Sequence, residues 1–178
     1  MYKEYKHLYK DIHQKMKMKM RLNKILPIIE ECETFLKTML TEPIYTLNFD
    51  GCSKGNPGRG GAGAVIYKDY KEIWNGAMFV GEKVTNNYAE YSGLILGLKK
   101  ANEMQIKNLD VFGDSDLVIK QMNKIYKVKS PNIYPLYLEA TKIAENFDEI
   151  IFTHVYRENN KRADELSNDG LDFENENP

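Results

Sequence analysis

Four carboxylates stand where apolar stretches end or begin. Asp50 closes YTLNFD, Glu90 lies early in NNYAEYSGLILGLKKANEM, Asp114 follows LDVFG, and Asp164 falls in the segment Asn160 to Leu171. They are 40, 24 and 50 residues apart, so only a fold could gather them. Each also has an ordinary structural explanation. Asp50 precedes Gly51 as a turn residue would, Asn87 and Glu90 have capping-box spacing, Asp114 could cap the helix after it, and Asp164 could complement a helix dipole. Gathered together, four acids repel and raise one another's pKa unless cations bind. Hard divalent ions with oxygen ligands are the natural remedy, and Mg²⁺ takes a few carboxylates together with substrate phosphate. Two such ions ~3.5–4 Å apart can clamp the attacking and leaving oxygens of a phosphodiester. Metal-assisted phosphodiester hydrolysis is the chemistry these residues would do, and no protein nucleophile is evident.

The elements that must position these acids follow from periodicity. YTLNFD alternates, with Tyr45, Leu47 and Phe49 on one side and Thr46, Asn48 and Asp50 on the other. GAGAVIYK and EIWNGAMFV read as two more strands of an antiparallel meander. Asn86 to Met104 has a helical pattern, and Leu109 to Gly113 is a short buried strand. SDLVIKQMNKI is a second helix. The lysine-dotted YKVKSPN leads to a third over Ile133 to Asn146, EIIFTHV is a fifth strand, and Asn160 to Leu171 is a final helix. Strands separated by helices enter a sheet as parallel crossovers. The expected fold is therefore α/β: a five-stranded mixed sheet, three antiparallel strands followed by parallel crossovers, flanked by helices. If the first and fourth strands are adjacent and parallel, their carboxyl ends place Asp50 beside Asp114.

Composition narrows the class. The chain has 178 residues, net charge −1 and 42% hydrophobic residues, an ordinary globular balance, so any nucleic acid must be held by local patches. Cys32 and Cys52 form no metal-ligand spacing and are expected as reduced thiols of an intracellular, cytoplasmic protein. No apolar run approaches the ~18 residues of a membrane span, so no membrane partner is expected. Three stretches divide the chain: residues 1–43, a basic, helical extension; 44–173, the main domain; and 174–178, a loose polar tail. Residues 1–24 hold eight lysines and arginines against Glu4 and Asp11 and read as a frayed helix. From Leu22 onward Ile25, Ile29, Leu36, Met39 and Leu40 recur at helical spacing, with Pro27 placed in a first turn.

The segments FDGCSKGNPGRGGAGAVIY, TNNYAEYSGLILGL, FGDSDLVIKQMN and HVYRENNKRADELSN closely resemble the signature blocks of type 1 ribonuclease H, over about residues 45–172. Four blocks in the right order, each holding an acid, make the resemblance specific. It implies the ribonuclease H fold, and it implies that Asp50, Glu90, Asp114 and Asp164 hold two Mg²⁺ (Mn²⁺ substituting) with substrate. It implies cleavage of the RNA strand of an RNA–DNA hybrid to 3′-hydroxyl and 5′-phosphate ends. Double-stranded RNA is a further substrate this fold admits. By the same resemblance His154 assists catalysis. Gly51, Ser53, Lys54, Gly55, Asn56, Asn86, Asn87 and Ser115 meet the substrate, the glycines (Gly58 with them) by letting backbone approach closely, and Arg157 and Asn160 contact phosphate or orient Asp164. Amides and carbonyls suit recognition of the RNA 2′-hydroxyl, which phosphate-binding cations cannot distinguish.

Two departures from the family pattern stand out. Asp116 occupies a position where many members have an amide, and the interval from Asp114 to Asp164 leaves little room for the long basic protrusion of some members, with Lys124, Lys127 and Lys129 as a small substitute. The extension matches no hybrid-binding domain. It is expected either to hold phosphates non-specifically or to pair with a protein partner. Alternative readings of the whole are a non-catalytic nucleic-acid-binding module or a scaffold of the same fold.

Overall fold

The computed structural model describes residues 2–173. They fall into two compact units, Met1–Glu42 and Pro43–Pro178; the tail at 174–178 lies outside the described residues.

The first unit is one helix, α1, Tyr2–Thr41. It is continuous where the sequence suggested a frayed arm and a separate helix. Pro27 lies inside it and not in a first turn. Lys, Leu, Met and Glu dominate this stretch, and all are good helix formers. Proline there removes a single donor, and on an exposed helix the orphaned carbonyl can turn to water. Thr34 donates back to the Glu30 carbonyl at 2.8 Å. The side chains of Leu36, Met39 and Leu40 lie outside the described residues.

The second unit carries the sheet, with strands β1 (Tyr45–Lys54), β2 (Gly58–Lys68), β3 (Lys71–Val84), β4 (Asn108–Gly113) and β5 (Glu149–His154) in the order β3-β2-β1-β4-β5. β1 pairs antiparallel with β2, and β2 with β3. β1 pairs parallel with β4, and β4 with β5. The mixed sheet is as expected. β1 runs four residues past Asp50 and β3 reaches Val84, so the meander is longer than its apolar cores suggest. Hydrogen-bonded pairing carries the polar and glycine-rich ends along.

Helices α2 (Asn86–Glu103), α3 (Asp116–Met122), α4 (Tyr134–Ala144) and α5 (Lys161–Asp169) complete the unit. Strand alternation sorts the core into two layers. Leu47, Phe49, Ala64 and Ile66 meet Tyr91, Leu94 and Leu98 of α2 on one face. Val65 meets Ala163 and Leu166 of α5 on the other. Phe49 pairs with Gly113 across β1 and β4. One step further stand Asp50, where the parallel pairing of β1 with β4 stops although β1 itself continues along β2, and Asp114, just past the carboxyl end of β4.

Candidate active site

Close packing brings the third acid to these two. α2 crosses β1 at Gly51 and Gly93. A Cβ on Gly51 would collide with the backbone of Ala89 and Glu90, and one on Gly93 with the Asp50 carbonyl. Gly51 is thus a packing glycine, and it also lines the cleft in which the acids stand. Gly55, at φ +90°, and the exposed Asn56 do sit in the turn between β1 and β2. The close crossing carries Glu90 over the strand end, where carboxylate oxygens of Asp50, Glu90 and Asp114 lie within 4.8 Å of one another. Glu90 is not part of a capping box. The N-cap of α2 is Thr85, whose side chain accepts from the Tyr88 N–H at 3.3 Å.

Asp164, in the first turn of α5, lines the same polar cleft of about 440 Å³. Its carboxylate is held by Arg157. It does not join the three-acid group as a ligand within that 4.8 Å cluster. A larger hollow of about 530 Å³, lined by Ile44, Tyr67 and Phe112 among others, lies elsewhere in this unit. It lacks convergent acids, so chemistry and not size marks the site.

The electrostatics are those of acids crowded into a half-dry pocket. Burial pushes Asp50 up to about 6, against a hydrogen bond from Ser167, with the charges of Asp114 and Asp164 adding to the rise. Burial raises Glu90 well above the usual carboxylate range, and the charges of Asp50 and Asp114 raise it further. Glu90 Oε2 is buried without a hydrogen-bond partner. A buried carboxylate with one orphaned oxygen, on a residue grouped with two further acids, fits a hard cation with oxygen ligands.

The other expected residues divide. Ser53, Lys54, Asn86, Ser115 and Arg157 line the cleft. The Asn56 side chain accepts from the Asn86 N–H at 3.0 Å, tying the β1–β2 turn to the start of α2. Asn87 is exposed in the first turn of α2. His154 is exposed at the end of β5, its Nε2 3.2 Å from the Asp114 carbonyl oxygen and its ring edge-on to Tyr156. Asn160 is different. Expected to touch phosphate or orient Asp164, it is buried, donating to the Phe49 carbonyl at 2.9 Å and to Asp114 Oδ1 at 3.2 Å and accepting from Asn48 at 3.1 Å. Its side chain is spent joining β1 to Asp114, because the chain entering α5 passes beneath both strand ends. Asp116 is offset by Lys120, one helical turn on, at 2.8 Å.

Two contributors escaped the sequence reading. Ser167 is fully buried and donates to Asp50 Oδ2 at 2.6 Å. Asn168 lines the cleft and accepts from Lys54 at 3.0 Å. The one signal in the sequence is the spacing Asp164–Ser167, which puts both on neighbouring turns of one helix face.

Comparison with known proteins supplies an independent line. Residues 48–170 match the family described as reverse transcriptase-like. A bifunctional protein of Mycobacterium tuberculosis is 40% identical over 124 residues, which are 69% of this chain and 34% of that protein. The chain thus matches about a third of the length of its mycobacterial relatives. A protein named ribonuclease H from Sulfurovum is 33% identical over 132 residues, 68% of this chain and 86% of its own. The solved structure of LC11-RNase H1 in complex with an RNA/DNA hybrid is similar with TM-score 0.68 and 31% identity, over 72% of this chain and 96% of that one.

Proposed function

Since the chain belongs to the ribonuclease H family, we propose that it is a metal-dependent endoribonuclease that hydrolyses the RNA strand of RNA–DNA hybrids, leaving 5′-phosphate and 3′-hydroxyl ends. The observation that carries this reading is the gathering of Asp50, Glu90 and Asp114, with Glu90 Oε2 buried and unpartnered. These acids, with Asp164, would hold Mg²⁺ or Mn²⁺. Two such ions supply water activation and stabilisation of the departing 3′-oxygen.

The chain's own residues do the rest. Ser167 and the Gly51 N–H hold the Asp50 carboxylate in place. Asn160 holds Asp114 against the end of β1. Arg157, already on Asp164, is a fixed cation at the mouth of the cleft and suits a substrate phosphate. Lys54, Asn56 and Asn86 offer a cation and amides along one rim, the chemistry needed for a backbone and a 2′-hydroxyl. His154 stands at the end of β5 beside Gly113 and Asp114 and is suited to assist proton transfer during water attack or product release.

The test is cleavage of a labelled hybrid with Mg²⁺ or Mn²⁺, set beside the same RNA as a single strand and as an RNA duplex. The RNA strand of the hybrid is expected to be cut, with ends that a ligase needing 5′-phosphate and 3′-hydroxyl can rejoin. Asp50→Asn is expected to lose about 10²–10³-fold in rate, the scale of one lost electrostatic contributor. An inert wild-type protein would favour a binding module, and undiminished cleavage by the variant would overturn the metal assignment.

A further inference from the structure

Helix α1 carries a seam that the nuclease reading does not use. From Met18, the residues Leu22, Ile25, Ile29 and Cys32 follow at alternating steps of four and three, and Leu36 and Met39 continue that spacing in the sequence. This is the repeat that keeps one stripe of a helix facing a partner helix. Leu26 and Ile28 border the stripe, and Pro27 occupies the position opposite it. The described apolar members are exposed, Met18 by 58%, Leu22 by 55%, Ile25 by 50% and Ile29 by 46%. A contiguous apolar stripe of this kind marks an interaction surface.

The charge pattern says what covers it. Lys15, Lys17, Lys19, Arg21 and Lys24 precede Pro27, whereas Glu30, Glu31 and Glu33 follow it, set against Lys37 alone. A parallel pair of these helices would set basic half against basic half and acidic half against acidic half. An antiparallel pair centred on Pro27 sets each basic half against an acidic one. The seam then meets itself in register: Ile25 opposite Ile29 of the second copy, Leu22 opposite Cys32, Met18 opposite Leu36. Lys19 and Glu33 fall at equivalent flanking positions on the same side, where antiparallel helices exchange ion pairs. Such pairs choose orientation more than they add affinity, and the apolar stripe, roughly 33 Å over about three heptads, supplies the burial. A nucleic acid would suit the basic half alone. It would be repelled by the acidic half, through which the same stripe runs.

We propose that α1 pairs antiparallel with α1 of a second copy, making this chain a homodimer.

The test is sedimentation equilibrium of the full chain at physiological salt. A reversible monomer–dimer equilibrium is expected, and Ile25→Asp with Ile29→Asp is expected to give a monomer that retains the thermal transition of the second unit. Reversal of Lys17, Lys19 and Arg21 to Glu, or of Glu30, Glu31 and Glu33 to Lys, should each weaken dimerisation about tenfold, and the two reversals combined should restore it. Four results overturn the proposal: a wild-type monomer at all concentrations, a dimer that survives the Ile25/Ile29 change, a combined reversal no tighter than either alone, or ready Cys32–Cys32 cross-linking under mild oxidation, which requires parallel helices. A monomer that binds the hybrid through its basic half would assign α1 to nucleic acid instead.

Discussion

Ser167 shows how one buried hydroxyl can set the behaviour of a charged neighbour. Its Oγ lies 2.6 Å from Asp50 Oδ2, to which it donates, and 2.9 Å from the Asp164 carbonyl oxygen, a second acceptor for its single proton. A hydrogen bond to a charged group contributes about 1.5–3 kcal/mol. Ser167→Ala should therefore weaken Mn²⁺ binding, read by calorimetry without substrate, by about tenfold or more, while leaving hybrid affinity in chelator unchanged. Equal loss of both would point to a general collapse of the cleft. Asp50 itself makes a prediction about pH. Its folded pKa of about 6 lies above the ordinary 3.8. Between those values the folded protein holds more protons than the unfolded one, so this group's contribution falls as pH rises through the window and the full penalty stands above it. In chelator, Asp50→Asn should match the wild type near pH 4 and exceed it above pH 6 by up to about 3 kcal/mol. Thermal unfolding across pH checks this, and a gap independent of pH would refute it. Added divalent cation should narrow the gap, since it supplies the charge the pocket lacks.

The crossing of α2 over β1 is the element on which the site depends. Gly51 and Gly93 remove the two side chains that would hold helix and strand apart, and the Asp50 carbonyl lies against Gly93. Gly93→Ala must push α2 away from the Asp50 backbone. Overpacking costs about 1–3 kcal/mol, and here it also moves Glu90 away from Asp50. Both a lowered melting temperature and a raised Mg²⁺ requirement are expected, and a stability loss with unaltered metal requirement would disconnect the packing from the site. Asn160 does the same work on the other side of the sheet, tying β1 to Asp114 as the chain enters α5. Asn160→Leu leaves the Phe49 carbonyl without that buried donor, a cost of about 1–3 kcal/mol.

At the scale of the molecule, every residue in the buried hydrophobic core of the described chain lies from Leu47 onward. A chain beginning at Pro43 is thus expected to unfold in one cooperative transition, with a midpoint close to that of the second unit in the full chain. Calorimetry of the shortened protein tests this, and a molten or insoluble product would contradict it. The same deletion removes eight lysines and arginines with residues 1–24. If these reach phosphates, hybrid affinity falls and its dependence on salt flattens; unchanged affinity at low salt would end that role. Lys124, Lys127 and Lys129 remain exposed on the second unit after such a deletion.

Much of this molecule is legible in its sequence. Alternation in YTLNFD, the run of three strands and the helical spacing of Asn86 to Met104 are local properties, and local periodicity suffices to name elements and their order. The acids could be named because each falls near the edge of an apolar or periodic stretch of the sequence. The distances between them could not, because they depend on packing across the sheet. The β1–β4 register sets Asp50 beside Asp114, and the absence of a Cβ at Gly51 and Gly93 lets Glu90 descend onto them. Asn160 looked free to meet substrate and is buried, and Ser167, which little in the sequence marks out, touches Asp50. Both outcomes follow from where α5 docks, which depends on the shape of the sheet beneath it and leaves almost no trace in the spacing of residues along the chain.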